Sequence, residues 1–431
     1  MSTYQEALRF LYGLRRHGIK LGLQKPRELL RRLQEPQEGL KVLHVAGTNG
    51  KGSTCHMLFS MLRAQGLRAG LFTSPHLVSF TERIRVDGQE ISPREVAELA
   101  LQVKEASQGL AITFFEAAVA MAFLYFRQKG AQWAVLEVGM GGRLDATNTV
   151  ERPEVCIIST VGMDHREFLG SSLQEIAFEK AGILKPGVPA VVGPQEPQAL
   201  EVILRRAREV DSPLSLWGRD FGAALQRQGP EGLTLHYRGR EELRDVFLPL
   251  LGAHQVRNAA QALRAGELLG LGQEAMREGL RRVQIPGRLE LLRRHPEVRL
   301  DGAHNPQAAQ ALAEALKVLL QRKRGLILVL GLMKDKDAQG ILRPLLPLAR
   351  EVLLTASADE RALRPQALRA LAEALGHRGA RVAPTVKEAV GTALELAAED
   401  DLVLITGSFY VAGQAREALL GEPSALRGLK E

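Results

Sequence analysis

Short β-branched and leucine-rich runs recur along the chain and alternate with longer stretches of helical periodicity: KVLHVAG at 41–47, RAGLFTS at 68–74, QWAVLEVG at 132–139, VCIISTVG at 155–162 and VPAVVG at 188–193. This alternation predicts parallel strands joined by helical crossovers, an α/β fold. A helix from about Ser53 should end at Gly66, a residue suited to the left-handed position after a helix. Ser172 and Glu175 have the spacing of a capping box, opening a helix in LQEIAFEKAGIL that must stop by Pro186 and Gly187 and that carries Lys180. Residues 214–249 are less regular and, with alternating segments such as LTLHY, suggest a small β excursion before the helical stretch AHQVRNAAQALRAGELLG. IPGRLELL breaks the pattern near Ile285, and strand and helix signals restart with VRLDGAHN, GLILVLGLM, EVLLTA and DLVLITGSF. The division predicted is residues 1–284, a parallel-sheet domain, and 285–431, a Rossmann-like α/β domain whose ligands should bind beyond the carboxyl ends of its strands.

A chain of 431 residues has room for two or three domains with cores of their own. Hydrophobic residues make up 45% and charged residues 25%, which excludes a disordered chain. Lys and Arg number 57 against 49 Asp and Glu, and the formal +8 favours anionic partners without identifying them. Two cysteines, Cys55 and Cys156, are too few for a disulfide framework and fit a reducing cytoplasm. The N-terminus lacks a signal peptide's basic start and apolar run, and no apolar stretch approaches the roughly 20 residues that span a bilayer. No membrane partner is expected.

The chemistry begins at Gly47-Thr48-Asn49-Gly50-Lys51-Gly52-Ser53-Thr54, between a strand and a helix. Glycines let backbone N–H groups converge on phosphate oxygens, the lysine adds positive charge and the helix N-terminus its dipole, so a nucleoside triphosphate is the natural ligand. The common phosphate loop has a Ser or Thr after its lysine to reach Mg²⁺; here Gly52 follows, and the metal must find another ligand. Glu137, Ser74 and His165 each stand at or just after the end of a predicted strand. Singly, Ser74 reads as a turn residue and His165 as an ordinary hydrogen-bonding histidine; together, beside a phosphate loop, they are better explained as a metal site.

HVAGTNGKGST, FTSPHLVSFTERIRV, TFFEAAVAMAF, LEVGMGGRLDATN, DHREFLG, FEKAGILKPG, IPGRLE, DGAHNP and TGSFYVAG, in this order across nearly the whole chain, resemble the blocks of the folylpolyglutamate and dihydrofolate synthases of the ATP-dependent Mur ligase superfamily. The resemblance implies a P-loop ATPase-like N-terminal domain of the Mur ligase central type and a C-terminal glutamate ligase domain. It implies ATP held by Gly50, Lys51, Gly52, Ser53 and Thr54, with Asn258, Arg288 and Asp301 reaching the nucleotide across the domain interface, and Mg²⁺ on Ser74, Glu137 and His165. It further implies His304 and Ser408 near the incoming glutamate or the reacting carboxyl, and a pteridine pocket from Leu21, Gly22, Leu23, Phe115, Arg143, Leu144 and Asp145. Phe115 reads equally as a core aromatic of an amphipathic helix. Lys180 matches a lysine carbamylated by CO₂, whereas its position alone reads as a helix-surface lysine paired with Glu179 or Asp164.

The activity implied is an acid–amino-acid ligase in which the γ-phosphoryl group of ATP converts a carboxylate to an acyl phosphate that glutamate's amine attacks. Positioning and charge neutralisation then fall to Lys51, Mg²⁺ and Arg288. His304 with Asp301 is expected as a base or orienting pair, the alternative being a histidine that caps the next helix. No covalent nucleophile is needed, so Cys55 and Cys156 read as packing residues. Expected substrates are dihydropteroate, reduced folates or both, besides L-glutamate and ATP, acted on by a cytoplasmic monomer. A single-activity folylpolyglutamate synthase is the alternative. A Mur-type ligase of peptidoglycan precursors would need an N-terminal nucleotide-sugar domain for which the loop at Gly47 leaves no room, and a nucleic-acid-dependent ATPase would show basic clusters interleaved with aromatics, which are only 5% here.

Overall fold

The computed structural model describes residues 3–14 and 22–421. The first sheet contains β1 (Lys41–Ala46), β2 (Ala69–Phe72), β3 (Ile84–Val86), β4 (Gln89–Glu90), β5 (Trp133–Glu137), β6 (Val155–Ile158), β7 (Ala190–Val192) and β8 (Leu214–Leu216), in the order β4-β3-β2-β5-β1-β6-β7-β8. From β2 to β8 the neighbours pair in parallel, and β3 and β4 fold back antiparallel at one edge. β1, KVLHVA, exposes only Lys41 because helices cover both faces of the sheet. Val42 joins a core formed with the helices Pro93–Ala106 and Phe114–Gln128, and its neighbours Leu43 and Val45 join one formed with Lys51–Ala64, His254–Leu268 and Gln273–Arg281.

The irregular stretch at 214–249 divides in two. Leu214–Leu216 extends the large sheet, and β9 (Gly222–Gly229), β10 (Gly232–Arg238) and β11 (Glu242–Leu248) form a separate antiparallel sheet. Leu233, Leu235, Tyr237 and Val246 bury the inner face of that sheet in the same core as His254–Leu268. A third sheet contains β12 (Glu290–Arg294), β13 (Glu297–Leu300), β14 (Leu326–Leu330), β15 (Ala349–Leu354), β16 (Arg381–Val382) and β17 (Leu402–Thr406), ordered β12-β13-β17-β14-β15-β16 and parallel except for β12. The fold is therefore a two-part α/β structure, as the strand–helix alternation predicts.

Local signals act as read. Gly66 has φ +79°; Ser172 and Glu175 form both bonds of the capping box ahead of the helix Leu173–Ala181. Both cysteines are buried. The helix after the phosphate loop starts at Lys51, two residues before Ser53, because left-handed Gly50 forms its cap directly. Among the described residues no helix is long and apolar enough to cross a membrane.

Candidate active site

The two α/β units face each other across a cavity of about 500 Å³ at the carboxyl ends of the central strands of the first sheet. One wall is the phosphate loop. Gly47 and Gly50 take φ +144° and +91°, conformations open to glycine, and a Cβ at Gly50 would strike the Asn258 side chain. Gly50 thus brings the loop backbone against the helix His254–Leu268, whose Asn258 also lines the cavity. Lys51 Nζ curls back to the carbonyls of Gly47 and Thr48, 3.1 and 3.3 Å away, above the helix N-terminus. Ser53 and Thr54 are buried in the first turn of that helix.

Ser74, Glu137 and His165 all line this cavity, at the ends of β2 and β5 and after β6. Glu137 accepts the Ser74 N–H at 3.0 Å, and a Cβ on Gly52 would lie 3.4 Å from its Oε2. The carboxylate therefore occupies the side of the loop where a hydroxyl after the lysine would otherwise project. Burial pushes the Glu137 carboxyl up, against the pull of Lys51, the Ser74 N–H, Arg288 and Arg83. His165 takes a left-handed conformation at φ +50°, and burial pushes its pKa down to about 4, leaving a neutral imidazole. One carboxylate, one hydroxyl and one neutral imidazole beside a phosphate-binding loop suit Mg²⁺, which keeps several waters and takes few protein ligands besides phosphate oxygens.

Lys180 is buried, and its Nζ donates to Gly47 O at 2.8 Å, the carbonyl that Lys51 also reaches. Glu179 is taken by Arg143 and Asp164 by Lys336, so the surface ion pair that position alone suggested does not form. Burial, aided by the charge of Lys51, pushes the Lys180 pKa down to about 7.

The second unit supplies Arg288, Asp301 and His304. Asp301 and His304 do not form the expected pair. Asp301 accepts the N–H groups of Leu289 at 3.0 Å and Ala303 at 2.8 Å, pinning the strand to the Arg288 segment, so its oxygens are committed to backbone. His304 Nδ1 lies 2.8 Å from Gly302 O, and the carboxylate near its Nε2 is Asp164, at 3.9 Å, from the other unit. Nor does His304 cap the following helix, since Asn305 accepts the Ala308 N–H. Arg288 lies over the Phe409 ring, 5.2 Å from its centroid.

The sequence reading missed the residues that join the two units. Asn49, inside the phosphate loop, accepts a bond from Asn305 Nδ2 at 3.1 Å and gives its own Nδ2 to Gln307 at 2.7 Å. Lys336 reaches across to Asp164 at 3.0 Å, and both side chains are nearly buried. Against burial, the Lys336 ammonium, with the His165 and His304 rings close by, holds the Asp164 carboxyl well below the carboxylate range. His254 and Arg257 also line the cavity. The DH pair at 164–165 and the DKD triplet around Lys336 were the available signals, but a cross-domain pair leaves no spacing to read.

Lys336→Met removes the only cation paired with Asp164 among the described residues, leaving a nearly buried carboxylate uncompensated. We expect turnover to fall about tenfold, in keeping with the loss of one charge-assisted bond, with a lowered melting temperature. Unchanged turnover and melting would remove the pair from the closed arrangement.

The pteridine residues are only partly assembled here. Gly22 N donates to Leu144 O at 3.2 Å, joining the two segments proposed for one pocket, whereas Leu21 lies outside the described residues. Phe115 is half-buried, tilted against Phe72 and packed on Gly139, which lines the cavity. Arg143 pairs with Glu179 and stacks on Phe178, and it is not among the residues that line the cavity. Asp145 is buried and structural, accepting from Met140 N and from Thr147. Ser408 is a buried helix cap that accepts the Val411 N–H; the next residue, Phe409, is the one that lines the cavity.

Residues 45–266 match the Mur ligase middle domain and residues 287–409 the Mur ligase glutamate ligase domain. The dihydrofolate synthase/folylpolyglutamate synthase of Bacillus subtilis is 35% identical over 97% of this chain and 99% of its own. The structure of Mycobacterium tuberculosis folylpolyglutamate synthase complexed with ADP superposes with a TM-score of 0.89 at 34% identity, covering 97% of this chain and 100% of that one. Escherichia coli FolC in complex with DHPP and ADP gives 0.88 at 32% identity, covering 97% and 98%. The chain belongs to the folylpolyglutamate and dihydrofolate synthases of the Mur ligase family.

Proposed function

We propose that this protein is an ATP-dependent ligase that joins L-glutamate to the carboxylate of dihydropteroate and to the glutamate tail of reduced folates, using two units, 1–284 and 285–431, that close on the nucleotide. The observation that carries this reading is the single cavity in which the phosphate loop, Lys51 and Glu137 of one unit face Arg288 and His304 of the other. Relatives named for both activities, and neighbours complexed with ADP and with DHPP, support it.

An unactivated carboxylate does not condense with an amine in water. In the proposed route a carboxylate oxygen attacks the γ-phosphorus of ATP, ADP leaves, and an acyl phosphate forms; glutamate's amine then attacks the carbonyl carbon and phosphate departs with the C–O electron pair. Lys51 and Arg288 neutralise charge on the phosphates, and Asn258 with Asp301 fixes the nucleotide side of the closed cleft. Before attack, the ammonium of glutamate must lose a proton. Gly302 O can only accept, so His304 carries its hydrogen on Nδ1 and keeps a free lone pair on Nε2, while burial holds the ring neutral. That lone pair is the proton acceptor. Ser74, Glu137 and His165 would hold a nucleotide-bound Mg²⁺, which supplies further charge neutralisation on the phosphates. Gly22, Leu23, Phe115 and the Arg143–Asp145 segment would surround the pteridine, and Ser408, by capping its helix, places Phe409 at the glutamate end.

The test is ligation with ATP and L-glutamate, offering dihydropteroate and tetrahydrofolate separately. Product from both establishes the dual activity, from tetrahydrofolate alone the single one, and ATP hydrolysis without glutamate incorporation would refute the ligase reading. Glu137→Gln should raise the Mg²⁺ concentration for half-maximal activity about tenfold or more, because a carboxylate ligand is lost, while Ser53→Ala should shift it little. Equal, small shifts in the two titrations would show the metal set to be wrong.

A further inference from the structure

Behind the Arg288 segment lies a second and larger cleft, of about 1120 Å³, between the β3–β4 hairpin, the end of the helix Gln273–Arg281 and the first strands of the C-terminal unit. Arg288 and Leu289 line both cavities, so the cleft adjoins the reaction site. Its lining carries eight Lys and Arg side chains against four Glu. Several of these cations are committed: Arg85 to Glu90, Arg416 to Glu290, and Arg299 and Lys323 both to Glu297. The rest are under-compensated. Arg281 and Arg282 share the single carboxylate of Glu278, and Arg294 and Arg288 have no carboxylate partner among the described residues. The walls thus present fixed positive charge in excess, in a space large enough for an extended chain.

We propose that this cleft stores the glutamate tail of an elongated substrate. The inference rests on the ligase reading above and adds to it a site. A substrate held at its pteridine end near Gly22 and Leu144, and at its reacting carboxyl near Lys51, has both ends fixed. Each glutamate added between those ends lengthens the connecting chain without moving either anchor, so the extra residues must bulge into adjoining space. Each also adds one carboxylate. The adjoining space therefore needs volume and surplus positive charge beside the reaction site, and the cleft behind Arg288 has both. Arg281, Arg282 and Arg294 bear the tail's charge without touching the reacting groups.

The experiment compares mono-, tri- and pentaglutamyl tetrahydrofolate as substrates for the full-length wild type, for Arg281→Ala/Arg282→Ala/Arg294→Ala, and for the single variants Arg294→Glu and Arg294→Lys. We expect KM for the pentaglutamate to rise about tenfold in the triple variant and in Arg294→Glu, in keeping with lost charge-assisted contacts, and to return towards wild type in Arg294→Lys. KM for the monoglutamate and kcat with it should stay within about twofold, since only the tail reaches the cleft. Added salt should raise the wild-type KM for the pentaglutamate more than for the monoglutamate. Equal changes for short and long substrates, or no change for either, would overturn the tail site while leaving the ligase reading intact. Binding of a single-stranded oligonucleotide that these variants abolish, with no tail-length effect, would assign the cleft to a different polyanion and equally overturn it. Failure of the wild type to ligate any of the three folates would instead count against the ligase reading itself.

Discussion

Lys51→Ala should lower ligation by about 10³-fold or more, about 4 kcal/mol of transition-state stabilisation. The Lys51 ammonium is the phosphate loop's own cation, at the N-terminus of Lys51–Ala64, and in the structure it rests on the carbonyls of Gly47 and Thr48, within reach of any phosphate seated on that loop. Phosphoryl transfer asks the protein for positioning and charge neutralisation, so removing this charge strikes the step that the site exists to perform. Steady-state kinetics on a folded variant, checked by its melting temperature, measures the effect. Near-normal turnover would overturn the nucleotide assignment.

Lys180→Ala should produce the second large loss, about 10²-fold or more, part of which acetate or another short carboxylate restores by occupying the vacated space. Two lysines, Lys51 and Lys180, direct their Nζ atoms at the same Gly47 carbonyl. Burial and the Lys51 charge bring Lys180 down to about 7, so a large fraction of the amine is neutral at physiological pH. A neutral amine attacks CO₂ to give a carbamate and a proton. That conversion replaces repulsion between two cations by attraction and adds a negative charge beside the proposed metal site, where Glu137 is the one carboxylate among Ser74, Glu137 and His165. Below pH about 7 the amine protonates, so carbamate occupancy, followed by the mass of the intact protein or by ¹³C-bicarbonate NMR, should fall as the pH drops. An unmodified amine at every pH, together with a harmless substitution, would end the carbamate role.

Local chemistry was legible in the sequence wherever neighbouring residues produce it. The phosphate loop, the Ser172–Glu175 cap and the strand ends carrying Ser74, Glu137 and His165 are each written within a few residues, and the structure brings those three ligand candidates into one cavity. What the sequence did not reveal depends on contacts across the chain. The DGAHNP segment suggests His304 with Asp301 as a pair, but the loop turns Asp301 towards the backbone N–H groups of Leu289 and Ala303 and leaves His304 facing Asp164, 140 positions away in the chain. Lys336 is illegible in the sequence for the same reason. Its role is defined by a carboxylate in the other unit. Residues 214–249 misled in a different way: one run of short strands serves two sheets, and strand propensity alone does not say which edge a strand will join.

The most direct test of the account follows oxygen. Dihydropteroate labelled with ¹⁸O in its carboxylate, incubated with ATP, Mg²⁺ and L-glutamate, should deliver one labelled oxygen to inorganic phosphate for every amide formed, because the acyl phosphate carries that oxygen away when the amine attacks. Phosphate released without label while amide accumulates would contradict the route through an acyl phosphate at this shared site.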